Sequence, residues 1–213
     1  TSKVDSPIKL ISFGIDFNYN FLENCKVYLN GYQSWTDSRE YSADDAIIPM
    51  TRLGRLADKV LGFKVYGDYN FVPYSGEKGV FHGFSYAYAR NGGEYDLFGS
   101  LSERQGYTIF NFNCNTNTIS VKKDVEGVSF NGEYNILEMF FTSGSENEVF
   151  DAYFNAMNIQ KPREKHRCGY TTWYNYYPHI NEKIISDDLE ALCSTGEKID
   201  IFQIDDGYQT AVG

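Results

Sequence analysis

The run Ile199-Asp200-Ile201-Phe202-Gln203-Ile204 ends in Asp205-Asp206-Gly207-Tyr208-Gln209, so a short apolar stretch stops at two adjacent carboxylates and a glycine. Its apolar residues crowd together instead of alternating cleanly, and turn signals bound them, which predicts a strand covered on both faces. Strands of that kind belong to parallel sheets, where ligands sit outside the carboxyl ends. Asp205 and Asp206 fall at such an end. Upstream, Cys168 to Tyr177 predicts an aromatic strand, and Asn181 predicts the N-cap of a helix with Ile184, Ile185, Leu189, Leu192 and Cys193 as its apolar stripe. Gly196 is the expected stop. Strand, helix, strand in about 30 residues is one βαβ unit. A closed barrel has eight such strands, so the sequence reads as the front portion of a longer protein.

The preceding sequence has a different rhythm. From Ile8 to about Phe141 short apolar runs are punctuated by turn signals: Cys25 to Asn30, Val60 to Tyr66, Val80 to Ala89, Tyr107 to Cys114 and Tyr134 to Phe141. That spacing predicts a β-sandwich. Asn91-Gly92 and Asn131-Gly132 are hairpin signals, and Asn113 to Thr118 is a polar loop. In Phe81 to Tyr88 one face of the expected strand is mostly small and the other aromatic. Ser145-Glu146-Asn147-Glu148 then offers a capping box, followed by Val149, Phe150, Tyr153, Phe154 and Met157 at helical spacing, as in a helix connecting two domains. Asn158 to His166 is charged and contains Pro162, which suits an exposed linker. The expected division is residues 1–145, a β domain; 146–166, a connecting helix and linker; and 167–213, the start of an α/β domain.

A chain of 213 residues that is 42% hydrophobic has material for a substantial core, and its net charge of −10 with no basic block argues against a nucleic-acid partner. Aromatics at 17% suit β packing first and sugar stacking second. Cys25, Cys114, Cys168 and Cys193 show no CxxC spacing, so no metal site is expected. No secretory or membrane-spanning segment is visible, which sets a cytoplasmic expectation with no membrane partner. His82, His166 and His179 lack ligand spacing and are expected to be solvated or satisfied. Gly83-Phe84-Ser85-Tyr86-Ala87 lacks the second glycine of a nucleophile elbow. Asp44-Asp45 and Asp187-Asp188 read as solvated acidic surface.

Three stretches occur in order: Asn30-Gly31-Tyr32-Gln33-Ser34-Trp35, Gly169-Tyr170-Thr171-Thr172-Trp173-Tyr174, and Phe202-Gln203-Ile204-Asp205-Asp206-Gly207-Tyr208-Gln209. Together they resemble the N-terminal portion of the glycoside hydrolase family 36 α-galactosidases. The resemblance implies a multidomain β and α/β protein: a β-supersandwich, a connecting helix, then the first strand-helix-strand of a (β/α)8 barrel. It also implies hydrolysis of terminal α-D-galactosyl residues with retention, on an α-galactoside oligosaccharide and without a cofactor, with homo-oligomerisation left open.

By the same resemblance Asp205 and Asp206 match paired aspartates that accept hydrogen bonds from galactose hydroxyls. Trp173 and Tyr174 match aromatic residues of that pocket, and Trp35 matches a tryptophan that the sandwich domain extends over the barrel mouth. An ionised carboxylate is an acceptor for several hydroxyl donors, and an aromatic face covers the apolar side of a sugar ring. Adjacent aspartates cannot be the catalytic pair, because a retaining glycosidase needs carboxyls about 5–5.5 Å apart flanking the scissile bond. The nucleophile and acid/base are therefore expected beyond Gly213. Tyr32, Tyr170 and Tyr208 stand where the family often has Trp, which leaves relatives acting on α-N-acetylgalactosaminides, and galactosyltransferases, as alternatives. A non-catalytic sugar-binding or assembly module is the reading from another class.

Overall fold

The computed structural model describes residues 6–33, 36–51, 54, 68–69, 71–160 and 166–210. In chain order the elements are β1 (Ile8–Lys9), β2 (Phe13–Asn18), β3 (Lys26–Leu29), β4 (Arg39–Ser42), β5 (Val80–Phe84), β6 (Tyr86–Asn91), β7 (Glu94–Ser100), β8 (Thr108–Asn113), β9 (Thr118–Lys123), β10 (Ser129–Phe130) and β11 (Met139–Gly144). They are followed by α1 (Glu146–Ala156), β12 (Gly169–Thr171), α2 (Trp173–Tyr176), α3 (Glu182–Ser194) and β13 (Ile201–Gln203). They group into two units, Thr1–Ile159 and Gln160–Gly213.

Period-two alternation builds the first unit. Thr108, Phe110 and Phe112 of β8 point inward, as do Ile119 and Val121 of β9, and all five are completely buried. β8 and β9 pair antiparallel through the polar loop after Asn113, in a four-stranded sheet ordered β2-β9-β8-β5. A five-stranded sheet, β11-β7-β6-β3-β4, contributes Val27, Leu29, Tyr41, Ala87, Ala89 and Phe98 to the same core. Two antiparallel sheets thus close on one apolar layer, as in a sandwich. Each fully buried Phe contributes on the order of 1.5–3 kcal/mol.

The inward register of β9 continues onto a charge. Lys123 is 5% exposed, and its Nζ donates to the Ser102 carbonyl at 2.7 Å and the Thr108 hydroxyl at 2.9 Å, with Glu103 Oε2 at 3.6 Å.

Several sequence expectations are corrected here. Val80 to Ala89 is two strands, because Ser85 has φ 65° and turns the chain from one sheet to the other. Ser85 N–H donates to Thr108 beside one sheet, and its carbonyl accepts from Ser100 on the other. Tyr86 and Tyr88 consequently face α1 while Ala87 and Ala89 stay in the shared core. The Asn91-Gly92 hairpin forms, with Asn91 opposite Glu94 and Gly92 at φ 62°. Asn131-Gly132 is a turn with Gly132 at φ 77°, yet no hairpin, since β10 pairs with β1. The strand expected over Tyr134 to Phe141 is β11 and begins at Met139. Val60 to Tyr66 lies outside the described residues.

The α1 cap follows the sequence: Glu148 reaches back to the Ser145 N–H at 2.9 Å and to its hydroxyl at 2.6 Å. Its stripe is narrower than expected. Val149 and Tyr153 are buried on the strands β7 and β11, whereas Phe154 and Met157 are exposed.

The second unit is a parallel strand pair bridged by α3. β12 and β13 run parallel with Gly169 opposite Ile201, Tyr170 opposite Phe202 and Thr171 opposite Gln203. Asn181 caps α3 by accepting from the Ile184 N–H at 3.0 Å, and Gly196 ends it at φ 72°. Cys168 to Tyr177 is not one strand; after Thr171 it winds into the single turn α2. The expected double cover on the second strand is absent, with Ile201 and Ile204 exposed, and Leu189 and Cys193 of the α3 stripe are exposed too. Two strands and one crossover leave those faces unpartnered within the unit, and no closed barrel is formed by the described residues.

Candidate functional site

Parallel register sets the geometry at the carboxyl ends of β12 and β13. Thr171 and Gln203 are opposite each other, so the residues two further on, Trp173 and Asp205, leave the sheet at equivalent positions. Thr172 locks them together. It is completely buried, its N–H donates to the Gln203 carbonyl at 3.2 Å, and its Oγ1 accepts from the Asp205 N–H at 3.0 Å.

The Asp205 carboxylate is heavily engaged. Oδ2 accepts from Gln203 Nε2 at 3.0 Å and Thr171 Oγ1 at 3.3 Å, and Oδ1 accepts from the Asp206 N–H at 2.9 Å. Asp206 accepts from Gln209 Nε2 at 2.9 Å, while the Gln209 carbonyl oxygen accepts from the Gly207 N–H at 3.3 Å. Gly207 has φ 113°, and a Cβ there would sit 2.4 Å from the Pro178 carbonyl oxygen. Only glycine fits so close an approach, and it holds the turn against the Pro178 to Ile180 loop.

The aromatic candidates differ in exposure. Trp173 is half-buried, edge-on to Tyr177 at 5.5 Å, whereas Tyr174 is 83% exposed. Behind them Asp188 is half-buried and accepts the Tyr170 hydroxyl at 2.5 Å and the Tyr176 hydroxyl at 2.8 Å. The hydrogen bond to that carboxylate pushes the Tyr170 phenol up to about 12 and raises Tyr176 as well. This overturns the reading of Asp187-Asp188 as plain solvated surface: Asp188 ties β12 and α2 to α3. Asp45 is likewise no bystander, since its carboxylate takes both the N–H and the hydroxyl of Ser42 at 2.8 Å.

In the first unit the Asn30-to-Trp35 stretch is described as far as Gln33, and Trp35 lies outside the described residues. The Gly31 N–H donates to Ser38 Oγ at 2.9 Å, and the N–H groups of Tyr32 and Gln33 donate to the Asp68 carboxylate at 2.8 and 3.1 Å. Asp68 is 1% exposed. Gly31 and Asp68 border a cavity of about 360 Å³ that Tyr74 and His82 also line. His82 corrects its expectation: it is 8% exposed, stacked on Tyr74 at 4.7 Å, and its Nε2 has no partner. Burial pushes its imidazole down to about 4, so it is neutral. His166 and His179 are exposed.

The sequence brought Asp205, Asp206, Trp173 and Tyr174 forward, and the structure gathers them at one end of the strand pair. It did not single out Thr171, Thr172, Gln203, Gln209, Asp188 or Asp68. Two of these, Gln203 and Gln209, bracket the carboxylates in sequence, which was a usable signal. Asp68 had none, because it meets its partners across 35 and 36 residues of chain. Among the described residues no group of three or more His, Cys, Asp and Glu gathers to hold a metal, and no helix is long and apolar enough to cross a membrane.

No protein-family model matches the sequence, and no curated protein does. Among solved structures the chain is similar to the α-galactosidase TtGalA from Thermus thermophilus in complex with p-nitrophenyl α-D-galactopyranoside, with 20% identity and a TM-score of 0.60 over 96% of this chain and 36% of that one. It is similar also to that enzyme's complex with stachyose, with 19% identity and a TM-score of 0.60 over 96% of this chain and 41% of that one. The chain thus spans well under half the length of those structures. The likeness is one of fold: a β-rich unit followed by the parallel β/α opening of a partial barrel, as found in part of an α-galactosidase.

Proposed function

We propose that the protein is a retaining α-galactosidase that removes terminal non-reducing α-D-galactosyl residues from oligosaccharides, and that this chain supplies its β-supersandwich and the first strand-helix-strand of a (β/α)8 barrel. The observation that carries the reading is the parallel β12–β13 pair, which presents Asp205 and Asp206 beside Trp173 at its carboxyl ends, in a fold similar to that of an α-galactosidase. Carboxylates there are suited to accepting sugar hydroxyls, and the Trp173 and Tyr174 rings to covering the C–H face of a pyranose. Trp35 is proposed as a further sugar-contacting indole.

Asp205 and Asp206 bind and orient; they do not perform the displacement. Neighbours on one turn cannot flank a glycosidic bond at the spacing a covalent intermediate requires. The nucleophile and acid/base are assigned to chain following Gly213 in a longer protein.

The test is turnover of a chromogenic α-galactoside by the full-length gene product, run beside an α-N-acetylgalactosaminide and beside Asp205→Ala and Asp206→Ala variants. The expected result is a preference for the galactoside and a loss in either variant of about a thousandfold or more in kcat/KM, as when buried hydroxyl partners are left unpaired. A full-length protein inert toward the galactoside, or variants with near-normal kinetics, sinks the proposal.

A further inference from the structure

The two adjacent aspartates are not equivalent. An ionised carboxylate offers about four acceptor positions. At Asp205 three are occupied by protein donors: Gln203 Nε2 and Thr171 Oγ1 on Oδ2, and the Asp206 N–H on Oδ1. At Asp206 one is occupied, by Gln209 Nε2 on Oδ1. Among the described residues no donor reaches its Oδ2, and the residue is only half-buried. Asp205 also has its N–H bound to the buried Thr172 hydroxyl. It is braced on both backbone and side chain.

Gln209 is aimed by the same logic. Its amide oxygen accepts from the Gly207 N–H, so its Nε2 is turned toward Asp206, and the rotamer has both ends occupied. Gly207 in turn is pressed against Pro178 and Ile180 with no room for a side chain. The orientation of the Asp206 carboxylate therefore rests on one side-chain donor that is itself fixed, whereas that of Asp205 rests on three donors at once.

Building on the α-galactosidase reading, we propose that the two carboxylates divide the work. Asp206 is the principal reader of the sugar hydroxyls, and Gln209 is its positioning residue. Asp205 is chiefly the strut that fixes the turn to the ends of β12 and β13, with a single acceptor position left for substrate. Specificity for the hydroxyl pattern of the sugar then runs through Asp206 and Gln209, and loop integrity through Asp205, Thr171 and Gln203.

The test uses the full-length protein with Gln209→Ala and Gln203→Ala variants, assayed on p-nitrophenyl α-galactoside and on its 4-deoxy and 6-deoxy analogues, with thermal unfolding recorded for each. Removing Gln209 frees the reading carboxylate, so kcat/KM on the galactoside falls at least tenfold more than in the Gln203 variant. The wild-type preference over at least one deoxy analogue also collapses, because an unaimed acceptor no longer rewards the hydroxyl. A merely structural role for Gln209 would lower all three substrates in proportion and would not move that ratio. The proposal is overturned if the Gln203 variant loses as much as the Gln209 variant, or if the deoxy preference survives in Gln209→Ala. A wild-type protein without activity on the galactoside refutes the α-galactosidase reading itself, which separates the two failures.

Discussion

Replacing Gly99 with alanine probes how α1 is held on its sheet. Gly99 lies on β7, and a Cβ placed there would be 2.3 Å from Cε2 and 2.6 Å from Cζ of Tyr153. Real Cβ atoms do not approach a ring so closely, so the ring must leave. Tyr153 is 4% exposed, donates its hydroxyl to the Ser100 carbonyl at 2.7 Å, and packs with Val149 and Leu97 in the cluster between α1 and the sheet. Overpacking of a tight core costs about 1–3 kcal/mol. Losing the buried Tyr153 hydrogen bond adds about 1 kcal/mol. Gly99→Ala should therefore destabilise by roughly 2–4 kcal/mol. Urea unfolding of the protein, read as a fall in midpoint at unchanged slope, measures it. Two companions sharpen the test: Tyr153→Phe, which removes only the hydroxyl, should cost about 1 kcal/mol, and Tyr153→Leu should make the Gly99→Ala change much cheaper than it is in the wild type. A Gly99→Ala protein within about 0.5 kcal/mol of wild type, the range of an inert surface change, would refute the close approach.

The remaining expectations concern buried polar groups. His82 titrates near 4 in the folded chain because burial disfavours its cation, against about 6.5 when unfolded. Its contribution is fully present above pH 6.5 and is lost as pH falls toward and through 4, reaching roughly 3 kcal/mol; His82→Phe, which keeps a ring beside Tyr74, should flatten that limb of a stability–pH profile, and an unchanged limb would reject the assignment. Lys123→Ala strips donors from the Ser102 carbonyl and the Thr108 hydroxyl, a loss of about 2–4 kcal/mol, whereas a melting temperature at the wild-type value would show that water replaces the ammonium.

Much of the architecture was readable because local chemistry and tertiary demand agree. Strict alternation in Thr108 to Asn113 and the polar loop before Thr118 are local signals, and the tertiary core uses the same face they select. The Ser145–Glu148 cap, the Asn181 cap and the Gly196 stop likewise depend on residues within a turn of each other. The break at Ser85 was not legible. Nothing in Phe84-Ser85-Tyr86 announces a positive φ, and the turn exists because the chain must pass from one sheet to the other. The short turn α2 was missed for a related reason: an aromatic run has strand propensity, but Thr172 is drawn to Gln203 and Asp205 by bonds that span more than 30 residues.

By itself the sequence determined that two carboxylates stand where a strand ends. An apolar run ending in Asp205-Asp206-Gly207 places carboxylates at a strand's end, since side-chain period and turn chemistry are properties of neighbouring residues. The tertiary structure alone decided how those carboxylates are dressed. Thr171 reaches Asp205 across 34 positions and Thr172 across 33, and Asp68 binds the Tyr32 and Gln33 amides from as far away in the chain. Hydrogen bonds of that span are set by strand register and loop closure, which no local pattern encodes. They are also what makes two identical side chains, adjacent in the chain, chemically different.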